Sequence, residues 1–255
     1  MIETAHKINA ETSEKHGLLA RAYSSLRRLR RIRRYPYYRL LRRIHAHLKP
    51  RTYVEIGLCY GDSIVLGKSA EVCVGIDPSP QIKVILPPVA RIYRMTSDAF
   101  FSDYDLTAEL GHKTLDLAFI DGMHLFEFAL RDFVQLERHC SRQSTILVHD
   151  CYPIDRATSS RRQNTLLWSG DVWKLVVCLK KYRPDLKIGT VDIAPTGLTM
   201  IRGLDPASRA LSSRLPELEQ EFMALDFDEI DRDKPQKLNR LPNKWSEIEA
   251  FLSQA

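Results

Sequence analysis

The chain contains no G-x-G tripeptide, no C-x-x-C pair and no apolar run long enough to cross a bilayer. The first absence argues against a dinucleotide site, whose G-x-G-x-x-G turn brings backbone against a pyrophosphate. The second argues against zinc modules and disulfide frameworks, which want cysteines at paired spacing. The five cysteines (Cys59, Cys73, Cys140, Cys151 and Cys178) are scattered and odd in number, so free thiols in a cytosolic, cytoplasmic protein are expected. A membrane-spanning helix needs about 20 apolar residues, so no integral membrane segment is expected. The N-terminus lacks an apolar signal-type core, and no secretory leader is expected either.

What is present fits a folded domain with appendages. The chain has 255 residues, 44% of them apolar and 27% charged. Its net charge of +6 is uneven: ten arginines lie between Arg21 and Arg43, while Glu217 to Asp233 is acidic. A basic arm of this kind can contact nucleic acid or an anionic membrane surface, and it reads equally as a solvated helix face. Three regions follow: a basic helical arm over 1–50, a main domain over 51–204, and a helical or irregular extension over 205–255.

Apolar spacing predicts a helix over 11–34, an interruption at Pro36, and an amphipathic helix through Tyr37, Leu40, Leu41, Ile44 and Leu48. From residue 51, strands alternate with helices. The predicted strands are Thr52–Ile56, Val72–Asp77, Arg91–Met95, Leu115–Asp121, Thr145–Asp150, Lys187–Asp192 and Gly197–Arg202. The clearest helices are Phe126–His139 and Asp171–Tyr182, with a closing one at Trp245–Leu252. This alternation predicts an α/β fold, a doubly wound, mostly parallel seven-stranded sheet. Only Ile193-Ala194-Pro195-Thr196 separates the last two strands. That gap is too short for a crossover, so the last strand should run antiparallel. Cys151–Gly170 is a long irregular connection of the kind that forms lids.

The first strand ends in Glu55-Ile56-Gly57, Gly61 then opens a predicted helix, and the second strand ends in Asp77, twenty positions after Gly57. This is the layout of a nucleoside-binding βαβ unit, in which the later carboxylate accepts from ribose hydroxyls. Ligands of parallel sheets sit beyond the strands' carboxyl ends. There the chain places polar clusters one after another: Glu55, Asp77, Ser97-Asp98, Asp121 with His124, and His149-Asp150. The rim reads as a site.

These segments resemble class I S-adenosylmethionine-dependent methyltransferases of the Methyltransf_24 type, over roughly residues 51–202. More distantly they are similar to catechol and sugar O-methyltransferases. The resemblance implies a Rossmann-like sheet and S-adenosylmethionine as cofactor. It places Glu55, Gly57, Gly61 and Ser63 around the methionine part and Asp77 at the ribose. Ser97 and Asp98 fall by the adenine amino group, Ala99 beside the ring, and Asp121 next to the sulfonium and acceptor. Magnesium stays open: Asp121 and Asp150 match two ligand positions of the metal-dependent relatives, but Cys151 stands where those carry Asp or Asn.

Methyl transfer to a hydroxyl needs in-line positioning and removal of a proton. His124, His149 and Asp150 are the candidate bases. His124 leads, because Asp121 could orient it and an ordinary imidazole titrates near neutrality. Arg156, Arg161, Arg162, Trp168 and Trp173 are candidates for contacting a small-molecule or saccharide-like acceptor. Each role has a structural alternative: Asp77 as a turn cap before Pro78, Ser63 and Ser97-Asp98 as helix caps, His124 as the cap of the next helix, and Trp173 as core. A non-catalytic binder of RNA or anionic membrane that acts through Arg21–Arg43 is the competing function. Oligomeric state stays open.

Overall fold

A computed structural model describes residues 35–253; the helix expected over 11–34 and most of the basic arm lie outside them. Helix α1 (Tyr37–Leu48) starts directly after Pro36, as the interruption predicted. Strands β1 (Thr52–Ile56), β2 (Val72–Ile76) and β3 (Ala90–Tyr93) follow, then α2 (Ser97–Asp103) and α3 (Leu106–Glu109). Next come β4 (Leu115–Ile120), α4 (Phe126–Glu137), β5 (Cys140–His149), α5 (Trp173–Tyr182), β6 (Lys187–Val191) and β7 (Leu198–Arg202). The extension supplies α6 (Leu215–Met223), α7 (Asp228–Asp231), α8 (Lys234–Lys237), β8 (Arg240–Leu241) and α9 (Trp245–Ser253).

The sheet has eight strands in the order β3-β2-β1-β4-β5-β7-β6-β8, not the expected seven. β7 runs antiparallel to both β5 and β6, as the short gap before it predicted. The extra strand, β8, is two residues long and pairs parallel with β6. So short a segment carries no period-two signal, which is why the sequence does not reveal it. A second difference lies after β1. A 3₁₀ helix, Ile64–Ser69, stands where an α-helix was expected.

Alternate residues feed two cores. Val54, Ile56, Ala118, Ile120, Ile146 and Val148 face one side, where α4, α5 and α6 cover them with Phe126, Phe133, Leu179 and Phe222. Tyr53, Leu117, Phe119, Leu147 and Met200 face the other, under α1 and α9. Burial on both faces explains why the central strands read as continuous apolar runs. Among the described residues, no helix is long and apolar enough to cross a membrane.

Candidate active site

The carboxyl ends of β1, β2, β4 and β5 open into one cavity of about 530 Å³. Gly57, at φ +89°, begins the loop on its floor. A Cβ at Gly57 would lie 2.0 Å from the carbonyl oxygen of Asp121, so only glycine lets the ends of β1 and β4 meet. The close approach at Gly57 is to the backbone of the neighbouring strand's end. Asp77 holds the same loop from β2: its Oδ2 accepts from the Leu58 N–H at 2.8 Å and the Cys59 N–H at 3.0 Å. Its Oδ1 accepts from Ser79 N–H at 2.7 Å, so the turn-capping role is also real. A carboxylate has lone pairs to spare, and Asp77 still lines the cavity.

Glu55 lies beneath the loop and off the cavity wall, fully buried, accepting from Ser63 Oγ at 2.5 Å and Tyr53 OH at 2.6 Å. Burial pushes its carboxyl up to about 8, against the downward pull of those two hydroxyls. Ser63 lines the cavity, whereas Gly61 and Ala99 do not. Helix α2 is capped by Thr96, whose Oγ1 accepts from Ala99 N–H at 3.2 Å, so Ser97 and Asp98 are not its cap. Both of those residues face the cavity, with the Asp98 carboxylate gripped by Arg131 at 3.0 and 3.1 Å.

Opposite the loop, β4 and β5 bring four ionisable groups together. His149 Nδ1 lies 3.2 Å from Asp121 Oδ1 and 3.3 Å from Asp150 Oδ2. His124 Nε2 lies 3.4 Å from Asp121 Oδ1, and its Nδ1 lies 3.1 Å from Asp150 Oδ2. Burial alone would lower both imidazole pKa values, but the two carboxylates outweigh it: His124 rises to about 9 and His149 to about 10. Asp121 moves the other way, below the usual carboxylate range, because the facing imidazoles overcome its burial. His124 thus does not keep the ordinary pKa that recommended it as a base. Nor does it cap α4; the first amide of that helix, Phe126 N–H, donates to Asp171 Oδ1 at 2.9 Å.

The connection 151–170 has no regular structure, and its Leu166, Leu167 and Trp168 line the cavity. The acceptor roles expected of its arginines fail. Arg156 pairs with Asp226 and Asp228, while Arg161 binds Glu127 and Asp171, each at 2.6 Å. Arg162 is absent from the cavity wall. Trp173 is core, and Lys174, in the first turn of α5, pairs with Asp171 at 2.9 Å. Trp168 does reach the cavity, its ring lying on His124 with centroids 5.3 Å apart.

Among the cavity residues that escaped the sequence reading, four bear on the chemistry. Tyr37 and Tyr38, at the head of α1, line the mouth, and the Tyr37 ring lies 4.1 Å from that of His149. Three tyrosines within Tyr35–Tyr38 exceed what an amphipathic stripe needs, and that was the available signal. Asp132 sits in the buried stripe of α4 between Ala129 and Phe133, where periodicity asks for an apolar residue; burial pushes it up to about 7. Thr196, in the short β6–β7 gap, donates its hydroxyl to Asp150 Oδ1.

Residues 54–151 match the Methyltransf_24 family, a methyltransferase domain. That match spans 98 of the chain's 255 residues, from β1 to the end of β5. No curated protein matches the chain. Solved structures resemble the methyltransferase fold at low identity. The SAH-bound Podospora anserina methyltransferase PaMTH1 is 15% identical at a TM-score of 0.53, over 77% of this chain and 97% of its own. An O-methyltransferase from Bacillus cereus in complex with SAH is 10% identical at 0.51, over 66% and 80%. TomG, an O-methyltransferase from Streptomyces achromogenes involved in tomaymycin synthesis and solved with SAM, is 15% identical at 0.50, over 67% and 80%. At such identities the likeness speaks for the fold.

Among the described residues, Asp121, His124 and Asp150 are the group placed to hold a metal, with donor atoms all within 4.8 Å of one another. Cys151 is not part of it. Its thiol is buried and points to the His149 carbonyl, 3.5 Å away. Two oxygens and an imidazole nitrogen suit magnesium poorly, since that ion wants oxygen ligands in a near-ideal octahedron.

Proposed function

We propose that this methyltransferase domain transfers the methyl group of S-adenosylmethionine to a hydroxyl of a small, planar, largely apolar acceptor. The observation that carries this is one cavity with two unlike ends. At one end lies a glycine loop pinned by Asp77, with Ser97 and Asp98 beside it; at the other lies the Asp121–His124–Asp150 cluster under Trp168. Asp77 would take the ribose, Ser97 and Asp98 the adenine edge, and Gly57 and Ser63 the methionine part. Glu55 would support that loop from below through Ser63.

The cofactor, when bound, brings an already activated methyl group, so the protein's own task is placement and proton removal. Holding two reactants in line is worth effective molarities of about 10⁵–10⁸ M in well-oriented systems. The acceptor's proton would pass to the Asp121–His124–Asp150 cluster only once His124, raised to about 9 and so charged near neutrality, has given up its own; of the two histidines here it is the more open to the cavity, at 26% exposure against 6% for His149. The acceptor wall favours an aromatic or similarly flat compound over an anionic sugar. Tyr37, Tyr38, Phe128, Leu166, Leu167 and Trp168 form it, and the nearby guanidinium of Arg161 is taken up by carboxylates.

Calorimetric titration with S-adenosylmethionine and with its demethylated product tests the proposal. Both should bind the wild type, and Asp77→Ala should weaken them by at least about 1.5 kcal/mol, roughly tenfold. No heat from either compound, with the protein folded, would end it.

A further inference from the structure

We propose that Arg131 and Glu219 are positioning residues for the methyl donor: through them helix α6, outside residues 54–151, fixes the Asp98 carboxylate that selects adenine over its 6-oxo counterpart. The inference rests on the proposed seat of the adenine edge at Ser97 and Asp98. It adds two residues that act on that seat from behind.

The geometry is a relay of charged side chains from three helices. Arg131 of α4 donates from Nε to Asp98 Oδ1 at 3.0 Å and from Nη2 to Asp98 Oδ2 at 3.1 Å. Its other amino group, Nη1, donates to Glu219 Oε1 of α6 at 2.8 Å. The guanidinium also lies over the Phe128 ring, 4.5 Å from its centroid, and Phe128 lines the same cavity. Two carboxylates and an aromatic face thus hold one planar fork in a single orientation.

Asp98 needs such a hold. Its side chain is 49% exposed, against 25% for Arg131 and for Glu219, so alone it would turn among rotamers in water. Paired as it is, each of its oxygens keeps a lone pair for a further donor. Asp132, the next residue of α4, treats Ser97 in a similar way: it is buried and takes a hydrogen bond from the Ser97 hydroxyl. Adjacent residues of one helix therefore hold adjacent residues of the cavity wall. A fixed carboxylate suits an exocyclic amino group, whereas a 6-oxo group would bring acceptor against acceptor. Glu219 also gives the acidic stretch Glu217–Asp233 a link to the site.

Calorimetry on the whole chain compares SAH with S-inosylhomocysteine, its analogue carrying oxo in place of the 6-amino group. The wild type should bind SAH at least about tenfold more tightly. Arg131→Met, which keeps an apolar stem, should cut that ratio below about threefold, and Glu219→Ala should lower it at least about twofold. A purely structural role for these residues would weaken both ligands alike; an unchanged ratio in Arg131→Met overturns the inference. With Asp98→Ala already in place, Arg131→Met should shift the ratio no further, and an additional shift also counts against the relay. Thermal unfolding verifies that each variant folds. Should Arg131→Met fail to fold, Arg131→Lys, which keeps the charge and loses the fork, gives the same reading. A folded wild type that binds neither compound ends the donor reading and the relay with it. Tight SAH binding without discrimination ends the relay alone.

Discussion

Glu55 shows how far a residue's surroundings can move its chemistry. It is fully buried, and burial pushes it up to about 8 from an ordinary value of 4.5. The folded chain therefore holds this proton more tightly than the unfolded chain. The resulting stability is complete below about pH 4.5 and is lost as pH rises toward 8. Asp132, pushed up to about 7, acts in the same direction. Each tenfold difference in proton affinity is worth about 1.4 kcal/mol, so the melting temperature should fall from pH 5 to pH 8. Glu55→Gln should flatten that slope in thermal scans; an unchanged slope would show that Glu55 is not its source. In the sequence, Glu55 stood at the end of the first strand among the residues placed around the cofactor's methionine part. Only the fold reveals that the hydroxyls of Tyr53 and Ser63 occupy it.

At the scale of elements, the β1–loop–β2 unit was the most legible part, because glycine and aspartate there answer to backbone geometry. Gly57→Ala would force a Cβ into the Asp121 carbonyl at a φ of +89°. It should destabilise the chain by about 2–4 kcal/mol, read as a lower denaturant midpoint, and should weaken SAH binding in parallel. Wild-type stability in that variant would mean that β1 and β4 can separate at no cost. The 151–170 connection was legible only as a long loop. Its arginines looked free because their partners are remote in sequence: Glu127 lies 34 residues before Arg161, and Asp226 lies 70 residues after Arg156. No local pattern announces such pairs. The same holds for Thr196 and Asp150, 46 residues apart.

For the molecule as a whole, the mostly parallel sheet and its antiparallel end could be read from the spacing of apolar runs, whereas the strand order and the covering of the second sheet face could not. That face is closed by helices from opposite ends of the described chain. Arg43 of α1 lies over the Trp245 ring at 4.3 Å, and His47 Nδ1 lies 3.5 Å from Glu249 Oε1. Neither contact has a sequence signature, since amphipathic helices do not name their neighbours. Removing residues 244–255 should therefore act at a distance. The loop that Asp77 holds keeps its hydrogen bonds, so SAH affinity should change less than about threefold. Acceptor turnover should drop more, because Tyr37 rides on α1 beside His149. Equal losses in both, by calorimetry and methyl-transfer assay, would show that α9 supports the entire fold.

The clasp between α1 and α9 also has a consequence during synthesis. A ribosome releases the strands that line the proposed cofactor end of the crevice long before it finishes α9, whose contacts brace the helix carrying Tyr37 and Tyr38. A truncated or half-made chain could thus hold the methyl donor without presenting an ordered seat for its acceptor. On the proposed reading, competence for the second substrate would come after donor binding, conferred by residues remote from every reacting atom.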